Sequence, residues 1–190
     1  MQQETLAALD IETTGLDPQA SRVLAVALSS SGVDTVLTDE DEARLLGLTE
    51  QAVRDLPEGV TLVTWNGEAF DLPFLRARFD LLSIATSLEL DPTGLVGKYG
   101  QPRFQARWGG RRHVDIAYRY RTEAERLGVE WSLKPVAKAL GLDVVEVDRR
   151  GEAIARLSEE QLSAYAASDA RITAALAARA VPVSLPAVGQ

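Results

Sequence analysis

Asp10 and Glu12 stand one residue apart at the end of an apolar run, in the stretch LAALDIETTGLDP that spans Leu6 to Pro18. The run from Thr5 to Leu9 reads as a buried strand, with Gly15 and Pro18 as turn signals behind it. Side chains two apart on a strand share a face, so a strand continuing to Glu12 points both carboxylates the same way. Two like charges brought together there are costly to bury without a cation between them. Two readings stay open on this stretch alone: a strand that ends in solvated acids, or a pair of oxygen ligands for a metal ion.

Metal-assisted phosphoryl transfer needs several hard oxygen ligands converging from distant parts of a chain. A third candidate is Asp71 in TWNGEAFDLPFL, with Asn66 near the end of a strand and Phe70 beside the acid. A fourth is Asp169 in AYAASDARI, four residues after Tyr165. That spacing puts both on one helix face. Leu162 and Ile172–Thr173 lie at the margins of that face and turn it towards the protein. Singly these signals are weak. A helical Asp usually faces solvent, a Tyr one turn earlier usually packs, and Asn-Gly after a strand is usually only a turn.

The elements that must position these residues can be read from pattern. SRVLAVALSS and VDTVL read as two further strands that form an antiparallel meander with the first. DEDEARLLGLTEQAVRDL reads as a helix, GVTLVTWN as a fourth strand, and EAFDLPFLRARFDLL as a helix with Pro73 in its first turn. Residues 83–112, rich in Gly and Pro, read as loop. HVDIAYRYRTEAERLG begins as a short strand and becomes a helix. SLKPVAKALGL opens on Ser132 and stops at Gly141, and a long helix starts from a cap at Ser158. The order predicts an α/β fold with one mixed five-stranded sheet flanked by helices, its most apolar strand central. Residues 1–181 are expected to form a single domain and 182–190, with two prolines and no period, a poorly ordered tail.

A chain of 190 residues suits one domain. It has no cysteine, which excludes disulfides and thiolate metal sites. No run is long enough to span a membrane and the N-terminus lacks a signal-peptide pattern, so the expectation is a cytoplasmic protein without a membrane partner. The net charge of −8 is unevenly spread: residues 1–97 carry −12 and residues 98–121 carry +6. That basic segment interleaves Tyr99, Phe104, Trp108, Tyr118 and Tyr120. Phosphate contact with base stacking would use such a strip, and a solvated loop is the competing reading.

Taken in order, Asp-x-Glu-Thr-Thr-Gly-Leu, then Asn-Gly-x-x-Phe-Asp-x-Pro-Phe-Leu, then Tyr-x-x-x-Asp resembles the three motifs of the DEDD superfamily of 3′–5′ exonucleases. The resemblance covers residues 5–175, is nearest to the exonuclease domain of B-family DNA polymerases, and implies a ribonuclease H-like fold. With Tyr165 four before the last Asp, the sequence resembles the tyrosine branch, DEDDy. The single histidine, His113, is far in sequence from Asp169.

The resemblance implies a role for each matching position. Asp10, Glu12, Asp71 and Asp169 would hold two divalent ions, magnesium or manganese, since all-carboxylate ligation suits these better than zinc. Tyr165 would aim the attacking water, being a poor base with a phenol that titrates near roughly 10. Thr13, Thr14 and Leu16 would line the pocket for the 3′ end, and Asn66 and Phe70 would contact the last nucleotides. Asp115 falls outside the four matching acids and reads as structural, with support of the metal ligands as the other reading. Arg111 and Arg112, behind a flexible Gly109–Gly110 hinge, would meet a phosphate backbone. The expected activity is 3′–5′ hydrolysis of single-stranded nucleic acid, DNA favoured over RNA, to nucleoside 5′-monophosphates. An RNA-processing enzyme of the same fold, a binding module that lost activity, and a proofreading or DNA-repair partner of a polymerase are the alternatives.

Overall fold

The computed structural model describes residues 5–146 and 154–179. The predicted tail at 182–190 lies outside them. Three strands open the chain: β1 (Leu6–Thr13), β2 (Val23–Ser30) and β3 (Val33–Thr38). They form the predicted antiparallel meander. Helix α1 (Glu42–Asp55) follows, started by the Asp41 side chain, which accepts from the Ala43 N–H. Strand β4 (Thr61–Thr64) then pairs parallel to β1, and α2 (Asp71–Leu81) has Pro73 in its first turn, where a missing N–H costs nothing.

The next segment departs from expectation. Residues 83–112 are mostly strand: β5 (Leu88–Val96) and β6 (Pro102–Trp108) form a hairpin, and β7 (Arg111–Asp115) returns antiparallel to β6 and parallel to β4. The sheet therefore has seven strands rather than five, in the order β3-β2-β1-β4-β7-β6-β5. The glycines and prolines that suggested loop serve the hairpin. Pro92 lies on β5, an edge strand, where a missing donor is tolerated, and Pro102 begins β6. Gly109 and Gly110 have φ of 56° and 76° and make the two-residue turn from β6 to β7. They form a tight turn in place of the expected hinge.

After β7 come a 3₁₀ turn at Ala117–Tyr120, α3 (Arg121–Leu127), α4 (Leu133–Ala139) and the long α5 (Glu159–Ala177). Helix α5 starts with a capping box between Ser158 and Gln161. Alternation along β1 divides the core. Ala7, Leu9 and Ile11 face a cluster with Leu45, Leu46, Leu72, Phe79 and Trp108. Ala8, on the opposite face, packs with Val63, Tyr120, Ile172 and Leu176. Ala25 and Ala27 of β2 meet Ala166 and Ala170 of α5, so small residues on both sides let the helix lie close on the sheet. By the same alternation Asp10 and Glu12 fall on the Ala8 face, the one that α5 covers. No helix among the described residues is long and apolar enough to cross a membrane.

Candidate active site

The parallel strands β1, β4 and β7 all run towards one end of the sheet, and the acids collect there. Asp10 and Glu12 come from the last half of β1, and Asp169 descends from α5. One carboxylate oxygen from each of the three lies within 4.8 Å of the others. A bulge lies beside these acids. Glu12 pairs with Ala25 but Thr13 pairs with Val23, so Leu24 is the extra residue and β2 is the strand that bends there. Tyr165 lies one helical turn before Asp169, and both are buried.

Asp71 reaches the site differently. It is the first residue of α2, where the helix N-terminus favours a carboxylate, and its Oδ1 accepts from the Ile11 N–H at 3.3 Å. The loop before it turns sharply at Asn66, which has φ of 66°, and at Gly67, where a Cβ would lie 2.3 Å from Thr64 Oγ1. Asp115 bolts this loop down. Its carboxylate accepts from the N–H groups of Asn66 (2.9 Å), Glu68 (3.1 Å) and Ala117 (3.0 Å).

The electrostatics follow from burial and crowding. Asp10 is raised well above the usual carboxylate range by burial, then by the neighbouring Asp71, Glu12 and Asp169, with Lys134 acting the other way. Burial pushes Asp71 up to about 7, with Asp115 adding to it, against the backbone hydrogen bonds it accepts. Burial likewise lifts Asp115 to about 6. Acids held this way call for positive charge. Three carboxylates converging within a few ångströms are a donor set for a hard divalent cation such as magnesium or manganese.

The acids open into a cleft of about 290 Å³ whose other walls are Trp65, Asn66, Phe70, Tyr99, Trp131 and Lys98. Of the residues singled out by sequence, Asp10, Glu12, Asp71, Tyr165, Asp169, Asn66 and Phe70 line this one cleft. Thr13 ends β1, and Thr14 and Leu16 lie in the turn beyond it. Thr13 donates to Gly15 O, the Thr14 hydroxyl accepts from the Arg22 N–H, and Leu16 projects into solvent at 83 % exposure. Arg111 and Arg112 begin β7, at the end of the strand remote from the acids. Arg111 donates to the carbonyls of Gly109, Arg54 and Leu56. The basic segment is dispersed in the same way. Trp108 and Tyr120 are core, and Arg103 lies 3.4 Å over the Tyr118 ring and pairs with Glu68. Only Lys98 and Tyr99 of the strip's basic and aromatic residues line the cleft. His113 is buried beside Thr64, 2.8 Å from its hydroxyl, and burial holds it near 3, so it is neutral and structural.

Sequence reasoning passed over Lys134. Its Nζ is 3.0 Å from Asp169 Oδ1 and 3.3 Å from the centroid of the Tyr165 ring. It also passed over Trp65 and Trp131, whose only signal was an aromatic next to a strand end or a helix start.

A family model described as the RNase H superfamily matches residues 7–165. The chain belongs to the RNase H superfamily. Within it, the chain is similar to a DNA polymerase from Archaeoglobus fulgidus, 23 % identical over 171 residues that make up 88 % of this chain and 21 % of that protein. An uncharacterised protein from Methanocaldococcus jannaschii is 36 % identical over 72 residues, 38 % of this chain and 40 % of that one. In three dimensions the fold matches the family B DNA polymerase from Pyrobaculum calidifontis with a TM-score of 0.67 and 24 % identity, over 91 % of this chain and 24 % of that one. The chain thus spans under half the length of each of these relatives. The superfamily assignment and the polymerase likeness both agree with the fold and the resemblance expected from the motifs.

Proposed function

We propose that this protein is a metal-dependent 3′–5′ exonuclease that removes nucleoside 5′-monophosphates from single-stranded nucleic acid, DNA in preference to RNA. The observation that carries the reading is the convergence of Asp10, Glu12 and Asp169, with Tyr165 one turn away, at the wall of an aromatic cleft. Asp10, Glu12 and Asp169 would hold one divalent ion, and Asp71 with Asp10 would hold the second. Such ions supply an acidified water and offset charge on a phosphate under attack. The chain's own residues do the rest. Tyr165, one helical turn from Asp169, carries a hydroxyl suited to orienting a water. Asp71, fixed by the Ile11 N–H, sets the distance between α2 and β1 across the site. Trp65, Phe70, Tyr99 and Trp131 offer faces on which unpaired bases stack, and Lys98 offers a cation to the backbone.

The test is a matched pair of 5′-labelled single strands, DNA and RNA, each with magnesium and with manganese. A descending ladder of single-nucleotide steps that stops with a chelator is the expected result. Early release of the labelled nucleotide would reverse the polarity, and cutting of a circular strand would make the enzyme an endonuclease. The RNA arm decides whether the same chemistry serves RNA processing.

A further inference from the structure

Lys134 lies in the first turn of α4, which starts from Ser132. A helix gains from an acid at that position and not from a base, so the helix itself does not explain the lysine. Its neighbour one turn on, Lys138, behaves ordinarily: half exposed, it reaches out to Glu146 at 2.5 Å. Lys134 turns inward instead. Its side chain is 17 % exposed, and its Nζ touches Asp169 Oδ1 at 3.0 Å, the Tyr165 ring at 3.3 Å and Val145 O at 3.3 Å. The ammonium thus bridges the two α5 residues that the proposed chemistry uses, and it sits on a carboxylate that also belongs to the three-acid cluster.

We infer that Lys134 is a positioning residue that serves Asp169 as a resident counter-ion and competes with a divalent ion for the same carboxylate. The inference rests on reading Asp10, Glu12 and Asp169 as metal ligands. A carboxylate engaged with an ammonium presents less negative charge to an incoming ion, so the lysine lowers the site's metal affinity. Without the ion, it holds the acids of β1 and α5 together against their mutual repulsion. Its contact with the face of the Tyr165 ring keeps that ring in place in either state.

The experiment compares wild type, Lys134→Met and Lys134→Arg by manganese titration calorimetry and by thermal unfolding with and without manganese. Lys134→Met should bind manganese about tenfold more tightly, the size of effect one adjacent unit charge has on a charged site. It should melt lower than wild type without metal and gain more in Tm when manganese is added. Lys134→Arg should return both values towards wild type. Unchanged or weaker manganese binding by a folded Lys134→Met, with both melting temperatures lowered equally, would overturn the inference and leave the lysine as packing. If Lys134→Met does not fold, Lys134→Gln is read by the same two measurements. Should wild type itself bind no manganese at millimolar concentration, the metal reading falls and this inference with it. Equal affinities of wild type and variant sink only the lysine's role.

Discussion

The protein buries acids in two places and treats them in opposite ways. On the α1 side, Glu42 takes two hydrogen bonds from the Arg78 guanidinium and one from the Val23 N–H. Glu50 accepts from Ser87, Thr86, Arg54 and the Trp108 indole. Burial pushes the Glu50 carboxyl up, but the donors, Ser87 and Trp108 foremost, outweigh it and hold the group at about 2. At the end of β1, by contrast, Asp10, half-buried, and Asp71, buried, lie among other acids and are pushed up. The first region is finished by the fold. The second has Lys134 on Asp169 yet leaves Asp10 and Asp71 raised, the pattern a metal-binding site would show.

The sharpest way to break this contrast is Asp10→Asn. Nuclease activity should fall by about 10³-fold or more, the scale of losing a main stabiliser of transition-state charge. The metal-free variant should nevertheless melt above wild type, because the amide relieves the like-charge crowding that raises Asp10. A variant that melts lower without metal would place Asp10 with the structural acids. Next in size is Tyr165→Phe. It should lose about 10²-fold or more in kcat, as positioned proton-handling groups do, with manganese affinity unaltered. Full kcat in both metals would make the tyrosine packing only.

Glu50 tests the other side. Glu50→Gln should cost about 2–3 kcal/mol of stability at neutral pH and leave kcat intact. The sign of its pH dependence follows from the depressed carboxyl. The stabilisation is complete above the unfolded value of 4.5 and disappears as pH falls towards about 2. The gap between wild type and Glu50→Gln in urea melts should therefore close over that window. A gap that stays constant from neutral pH down to 2 would show that the amide disrupts packing rather than charge.

The two regions also differ in how far the sequence announces them. The period of two at Asp10 and Glu12 and the period of four at Tyr165 and Asp169 each survive in the structure, because each lies within one regular element with one side against the core. Lys134 was illegible for the opposite reason. A lysine opening an amphipathic helix reads as solvated, and its partner Asp169 is brought to it only by the packing of α4 on α5. The β5–β6 hairpin was hidden by composition. Gly94, Gly97, Gly100, Pro92 and Pro102 look like loop residues, yet an edge hairpin accommodates all five. Gly97 is needed where the hairpin turn meets the site, since a Cβ there would lie 2.8 Å from that of Ala69. Glu50 was illegible too, because all its donors except Arg54 come from 36 to 58 residues away.

The smallest predicted effect separates two cations from the same basic segment, one on each side of the contrast. Lys98 lines the cleft, while it also donates to Trp131 O at 2.8 Å and Glu130 at 3.0 Å. Arg111 stands near Glu50, linked through Gly109, whose N–H donates to the Ser87 hydroxyl that itself bonds Glu50. Single-strand affinity gained by neutralising a phosphate falls with salt by a slope of about 0.7 per contact. Lys98→Gln should therefore flatten the salt dependence of single-strand binding by about 0.7 and weaken binding alike for all sequences. Arg111→Gln should leave that slope unaltered and lower the melting temperature instead, because the carbonyls of Arg54 and Leu56 lose their donor. The double replacement of Arg111 and Arg112 by glutamine should also leave the slope in place. If it flattens the slope by one to two units while Lys98→Gln does not, the nucleic-acid path runs over the far end of β7, and the cleft wall at Lys98 and Tyr99 belongs with the scaffold.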